Sequence, residues 1–143
     1  MSDLVVRCLC GSLRLRVNAG PLAGFYCHCA DCRAAHGAAY VGVALYPSAA
    51  VEVVAGEVAT FTLRSLPRAF CPRCGARVFA RVPDSDLTGI VAERLPEGAF
   101  RPGFHIHCRE AVAPVRDALP HYEALPPAFG GDDRTVDWER NPQ

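Results

Sequence analysis

The chain has 143 residues, half of them hydrophobic, and its 15 basic side chains balance 15 acidic ones to a formal net charge of zero. That length supports one domain with a genuine core, and the even charge carries no footprint for nucleic acid or an anionic membrane. No stretch approaches the ~20 continuous apolar residues of a membrane span, and Met1-Ser2-Asp3-Leu4 does not begin a secretory signal, so a cytoplasmic protein is expected.

In chain order, Leu13–Val17 alternates apolar residues with arginines and predicts a half-buried strand. Asp31–Ala39 predicts a turn or two of helix. Ala39–Tyr46 is an apolar run ended by Pro47, and Val58–Leu63 is rich in the β-branched and aromatic residues of strands. Arg68–Phe70 and Arg77–Val82 predict the two arms of a hairpin, and Thr88–Ala92 and Phe104–Cys108 two further short strands. Tyr40, Tyr46, Phe61 and Phe79 read as core. Gly and Pro punctuate these runs, as short strands joined by turns require. Pro120, Pro126 and Pro127 argue against a long C-terminal helix. The expectation is all-β, with two sheets or a distorted barrel over residues 1–125 and an extended tail over 126–143.

Seven of the eight cysteines form three clusters: Cys8-Leu9-Cys10-Gly11, Cys27-His28-Cys29-Ala30-Asp31-Cys32 and Cys71-Pro72-Arg73-Cys74-Gly75. In a reducing compartment such clusters read as metal ligands rather than a disulfide framework. The Cys71/Cys74 spacing is that of a zinc knuckle, with Gly75 free to take the positive φ that closes the turn. A knuckle supplies two of the four ligands of a structural site, and Cys8 with Cys10 is the natural complement once Gly11 bends the chain. Cys27, Cys29 and Cys32 form a triplet whose three thiolates leave a fourth tetrahedral position open, as in catalytic zinc sites. Spacing leaves another partition open, in which Cys27 and Cys29 join the knuckle pair. His28 reads as pointing away from the metal and Cys108 as a buried strand cysteine, with a ligand role for His28, or Cys108 as the fourth ligand of the triplet, as the alternative. Arg33 is placed to bind a substrate carboxylate, and His36, His105 and His107 are candidate acids or bases.

At Cys8–Gly11, Cys27-His28-Cys29-x-x-Cys32-Arg33, Gly56-Glu57, Arg68-x-Phe70-Cys71-x-x-Cys74-Gly75, His105-Ile106 and Leu119-Pro120-x-Tyr122, the chain resembles the glutathione-dependent formaldehyde-activating enzyme (GFA) family. That family also contains centromere protein V. The resemblance implies complex tandem β-sheets and two zinc ions per chain. A structural zinc would sit on Cys8, Cys10, Cys71 and Cys74, and a catalytic one on Cys27, Cys29 and Cys32. It also implies a carbon–sulfur lyase-type reaction that joins glutathione and formaldehyde as S-(hydroxymethyl)glutathione, with Arg33 and His105 as substrate contacts. The expected partners are a small thiol such as glutathione and a small aldehyde, without nucleic acid or membrane, and with room for a homo-oligomer. The competing reading is a non-catalytic module that binds zinc or a small thiol.

Overall fold

The computed structural model describes residues 3–138, which are mostly β. The strands are β1 (Leu4–Arg7), β2 (Arg14–Val17), β3 (Ala23–Cys27), β4 (Val41–Pro47), β5 (Val51–Ala55), β6 (Ala59–Thr62), β7 (Pro67–Phe70), β8 (Arg77–Arg81), β9 (Leu87–Val91) and β10 (Phe104–Ile106). One helix, α1 (Ala30–His36), lies between β3 and β4. Two compact units result: residues up to Gly24 with Val43–Arg101, and Phe25–Gly42 with the residues from Pro102 onward.

The first unit holds an antiparallel sheet in the order β1-β2-β5 and an antiparallel run β4-β9-β8-β7-β6. Neither array closes into a barrel. The period of two decides which side chains face inward. Val6 pairs with Leu15 and both are fully buried, while Val5 and Arg16 point outward. Arg16 meets Glu52 of β5 at 2.8 Å on the exposed face, a contact worth ~0–1 kcal/mol. Val6, Leu13, Leu15, Val17, Tyr46, Val78 and Ile90 form the core, each contributing about 1.5–3 kcal/mol by leaving water.

The second unit is built on β3 and β10, which run parallel with Phe25 opposite Phe104, Tyr26 opposite His105 and Cys27 opposite Ile106. Residues 121–123 extend this pairing through a bridge from His105 to His121, and residues 134–136 bond back to them. The chain beyond Pro126 thus includes a 3-10 turn at Pro127–Phe129 and a return strand-like pairing at Thr135.

All seven expected strands appear with ends within two residues of their places, and the helix begins at Ala30 and stops at His36. Gly37, at φ 60°, closes that helix. Three readings change. Cys108 opens a 3-10 turn rather than lying in a strand, because β10 stops at Ile106 and His107 enters the left-handed region. Tyr40 is 37% exposed instead of core, whereas Tyr46 is fully buried. β1, β3 and β5 lie outside the seven expected strands; β5 shows only Val51 fully to the core.

Candidate metal centres

In the first unit, the two hairpin tips present their cysteines through matching turns. At Cys8–Leu13 the Cys8 N–H bonds the Leu13 carbonyl and the Gly11 N–H returns to the Cys8 carbonyl. At Cys71–Ala76 the Cys71 N–H bonds the Ala76 carbonyl and the Gly75 N–H returns to the Cys71 carbonyl. Gly11 and Gly75 sit at φ 81° and 79°, a conformation that costs other residues ~1–2 kcal/mol. The bend brings the Cys8 and Cys10 sulfurs to 3.6 Å, and Cys10 stands 3.8 Å from Cys71. Ligands on a tetrahedral ion with Zn–S near ~2.3 Å stand ~3.8 Å apart, so the four sulfurs of Cys8, Cys10, Cys71 and Cys74 fit one ion.

The electrostatics prepare this set for a cation. Burial by itself would raise the Cys8 thiol, but the Leu13 N–H and the thiols of Cys10, Cys71 and Cys74 bring it down to about 6. Ser12 adds its hydroxyl, 3.1 Å from Cys10 and 3.4 Å from Cys71. Stabilised thiolate is the ligating form.

In the second unit, β3 delivers Cys27, and Cys29 caps α1 by accepting the Cys32 N–H at 3.2 Å. Cys32 lies in the first turn of the helix, its sulfur 3.5 Å from that of Cys27. The three sulfurs lie within 4.8 Å of one another, and no fourth His, Cys, Asp or Glu among the described residues joins them. Hydrogen bonds from the Cys27 and Cys32 thiols hold Cys29 well below the ordinary thiol range, and the same bonds push Cys27 up. The triplet thus favours the thiolate form at Cys29 over Cys27. The Glu110 carboxylate braces this corner by accepting the Ala30 N–H at 3.0 Å.

The partition into a set of four and a set of three follows the first of the two expected arrangements. His28 is fully buried and belongs to neither set. Arg33 donates from Nε to the His28 carbonyl at 3.2 Å, tying the helix to the loop between two ligands. His36 closes the last turn of α1, and Cys108 is buried, its thiol pushed up to about 12 chiefly by burial. His107 approaches Glu110 at 3.7 Å, and its field lowers the Cys29 thiol further.

His105 joins a network whose other half was not anticipated. Its Nδ1 meets His28 Nε2 at 2.9 Å and its Nε2 meets Asp117 Oδ2 at 2.8 Å. The second oxygen of Asp117 meets His121 Nε2 at 2.9 Å. Trp138 packs against His28 and His121, with ring centroids 5.2 and 4.7 Å away. Asp117 and His121 are four apart in sequence, which was the only local signal for their meeting.

Fold and sulfur geometry together define a mostly β protein with two cysteine groups fitted to metal ions. Residues 3–110 match the family described as glutathione-dependent formaldehyde-activating enzyme, and the chain belongs to that family. It is also similar to the crystal structure of a Rhodobacter sphaeroides protein solved in structural genomics. The two share 20% identity and a TM-score of 0.55, over 66% of this chain and 89% of the other. At that identity the likeness speaks for the fold alone. No curated protein matches the chain. Among the described residues no helix is long and apolar enough to cross a membrane.

Proposed function

We propose that the protein is a zinc-dependent carbon–sulfur lyase-type enzyme acting on the adduct of a small thiol and a small aldehyde, glutathione and formaldehyde being the pair the family name supplies. The observation that carries this reading is the three-sulfur group of Cys27, Cys29 and Cys32, which finds no fourth protein ligand among the described residues where Cys8, Cys10, Cys71 and Cys74 make a complete set. A zinc held by the triplet would supply a Lewis acid able to favour thiolate at neutral pH and to polarise an aldehyde.

In the synthetic direction a carbon–sulfur bond forms as the carbonyl π bond breaks, and the thiol proton ends on the former carbonyl oxygen. The protein's own part is to hold and orient. Cys29 fixes the start of α1 and so the positions of Cys32 and Arg33. Arg33 is the guanidinium in this unit placed one residue beyond a ligand, suited to a carboxylate of the thiol. His105 acts in this reading by positioning: it grips His28, the residue between two ligands. A cytoplasmic location goes with the reading, since all eight cysteines are free and thiolate chemistry needs a reducing compartment.

The test combines metal content with rate. Zinc-loaded protein after gel filtration should retain two equivalents per chain, and Cys29→Ser should lose one while keeping its far-UV spectrum. Hemithioacetals form without catalysis, so adduct formation or breakdown must be accelerated over buffer and free-zinc controls, and Cys29→Ser must abolish the acceleration. Thiol binding without acceleration for any thiol–aldehyde pair would replace the enzyme by a zinc- and thiol-binding module.

A further inference from the structure

We propose that His105, Asp117 and His121 form a further metal site, for a first-row divalent ion preferring nitrogen and oxygen donors. Its remaining coordination positions open toward the cavity beside Trp138.

Three backbone segments converge to build the group. The His105 N–H bonds the Pro120 carbonyl at 2.9 Å and the Tyr122 N–H bonds the His105 carbonyl at 3.0 Å. This bridge sets the two imidazoles on one side, with centroids 4.7 Å apart. Asp117 is locked between them by the Leu119 N–H, which donates to Oδ1 at 3.1 Å. His105 is fully buried and His121 nearly so. One ligand atom from each of the three residues lies within 4.8 Å of the others.

The spacing fits an ion. Ligand atoms ~2.1 Å from a metal and ~90° apart stand ~3.0 Å from each other. His105 Nε2 stands 2.8 Å from Asp117 Oδ2 and His121 Nε2 stands 2.9 Å from Oδ1, so an ion would use both carboxylate oxygens, or one of them after a small turn of the carboxylate. Two histidines and one carboxylate on one face of an octahedron are a donor set used by divalent first-row ions that keep open positions. Room for such positions exists: Asp117 and His121 line a cavity of about 430 Å³ together with Leu119, Pro120, Thr135 and Trp138.

The outer contacts also suit coordination. An ion on Nε2 of a neutral imidazole requires the proton on Nδ1, which must then find an acceptor. In His105 that atom faces His28 Nε2 at 2.9 Å. Without an ion, the same groups serve as two N–H donors on one carboxylate, so metal binding needs an exchange of tautomer and a small turn of the Asp117 carboxylate, with the backbone in place.

The site shares His105 with the proposed reaction but none of the cysteines, and the variants that test it, at Asp117 and His121, leave His105 and the thiolates in place. Protein with its cysteine centres zinc-loaded is titrated with Co²⁺ by calorimetry and absorption. One additional equivalent is expected, without the sulfur-to-cobalt charge-transfer band that exchange into a thiolate centre would show. Asp117→Asn and His121→Gln should each weaken it tenfold or more, while Cys29→Ser should retain it. His121→Gln keeps a side-chain N–H for Asp117 and so preserves the network if the fold depends on it. With Zn²⁺ in place of Co²⁺, imidazole ¹H–¹⁵N correlations should show the His105 proton moving from Nε2 to Nδ1. Absence of the extra equivalent, or an equivalent indifferent to both substitutions, overturns the site and leaves a hydrogen-bonded clasp only.

Discussion

Replacing Cys10 and Cys74 together by serine takes one ligand from each hairpin tip in the first unit. Cys10 is exposed and Cys74 half-buried, so the change opens no cavity in the core. Its effect is to remove the cross-link that an ion on the four sulfurs would make between positions 61 residues apart, at Cys10 and Cys71. The loop-closure relation for a cross-link of that span gives about 4 kcal/mol of lost stability. Unfolding entropy for a chain of 143 residues is roughly 0.3 kcal/mol per kelvin, which converts the loss to a drop in Tm of about 14 °C. Calorimetry of metal-loaded parent and double variant measures it directly. A chelator added to the parent, which strips the triplet's ion as well, should produce a drop at least as large. If the variant melts within ~3 °C of the metal-loaded parent, the four sulfurs do not act as a staple and the reasoning fails.

Gly56 sits at φ 88° with its backbone against Ser12, where a Cβ would collide with the Ser12 carbonyl. Gly56→Ala should therefore cost about 2–3 kcal/mol in urea unfolding, and a cost under ~0.5 kcal/mol would contradict the described turn. Glu110→Ala removes the acceptor for the Ala30 N–H and should lower stability by about 1 kcal/mol, with faster amide exchange at the start of α1 as the local signature. In metal-free protein, burial holds His105 below its ordinary pKa. The unfolded chain then takes up a proton near ~6.5 that the native state resists, so stability should fall as pH drops through that value. His105→Gln should flatten this part of the pH–stability curve; an unchanged slope would mean the buried ring is not what resists protonation.

The strands that sequence made legible are those whose alternation or β-branching matched their burial. β2 alternates exposed and buried without exception, and its pattern is visible in Arg14-Leu15-Arg16-Val17. β5 was hidden because Val53 and Val54 are both exposed, so the run shows no period. The two cysteine groups were legible because each ligand pair or triplet is local and turn chemistry restricts it. Asp117 and His121 were not, because what brings them to His105 is the return of residues 120–122 along β10. That pairing leaves no spacing signature linking positions 105 and 117. The exposure of Tyr40 was likewise invisible: it covers Tyr26 and His28 edge-on and face-on from outside, a tertiary placement that its apolar neighbours did not foretell.

The matching turns at Cys8–Gly11 and Cys71–Gly75 also carry a consequence in time. Each turn closes through bonds within its own hairpin tip, so each half of the four-sulfur centre can form as soon as its own segment exists. At ~5–20 residues per second, about 3–12 s of synthesis separate Cys10 from Cys71. During that interval Cys8 and Cys10, whose sulfurs stand 3.6 Å apart in the complete fold, have no second pair with which to share an ion. The newborn chain thus passes through a stage with half of its four-sulfur set made and open to oxidation, and its yield should depend on thiol reductant during translation more than on zinc supplied afterwards.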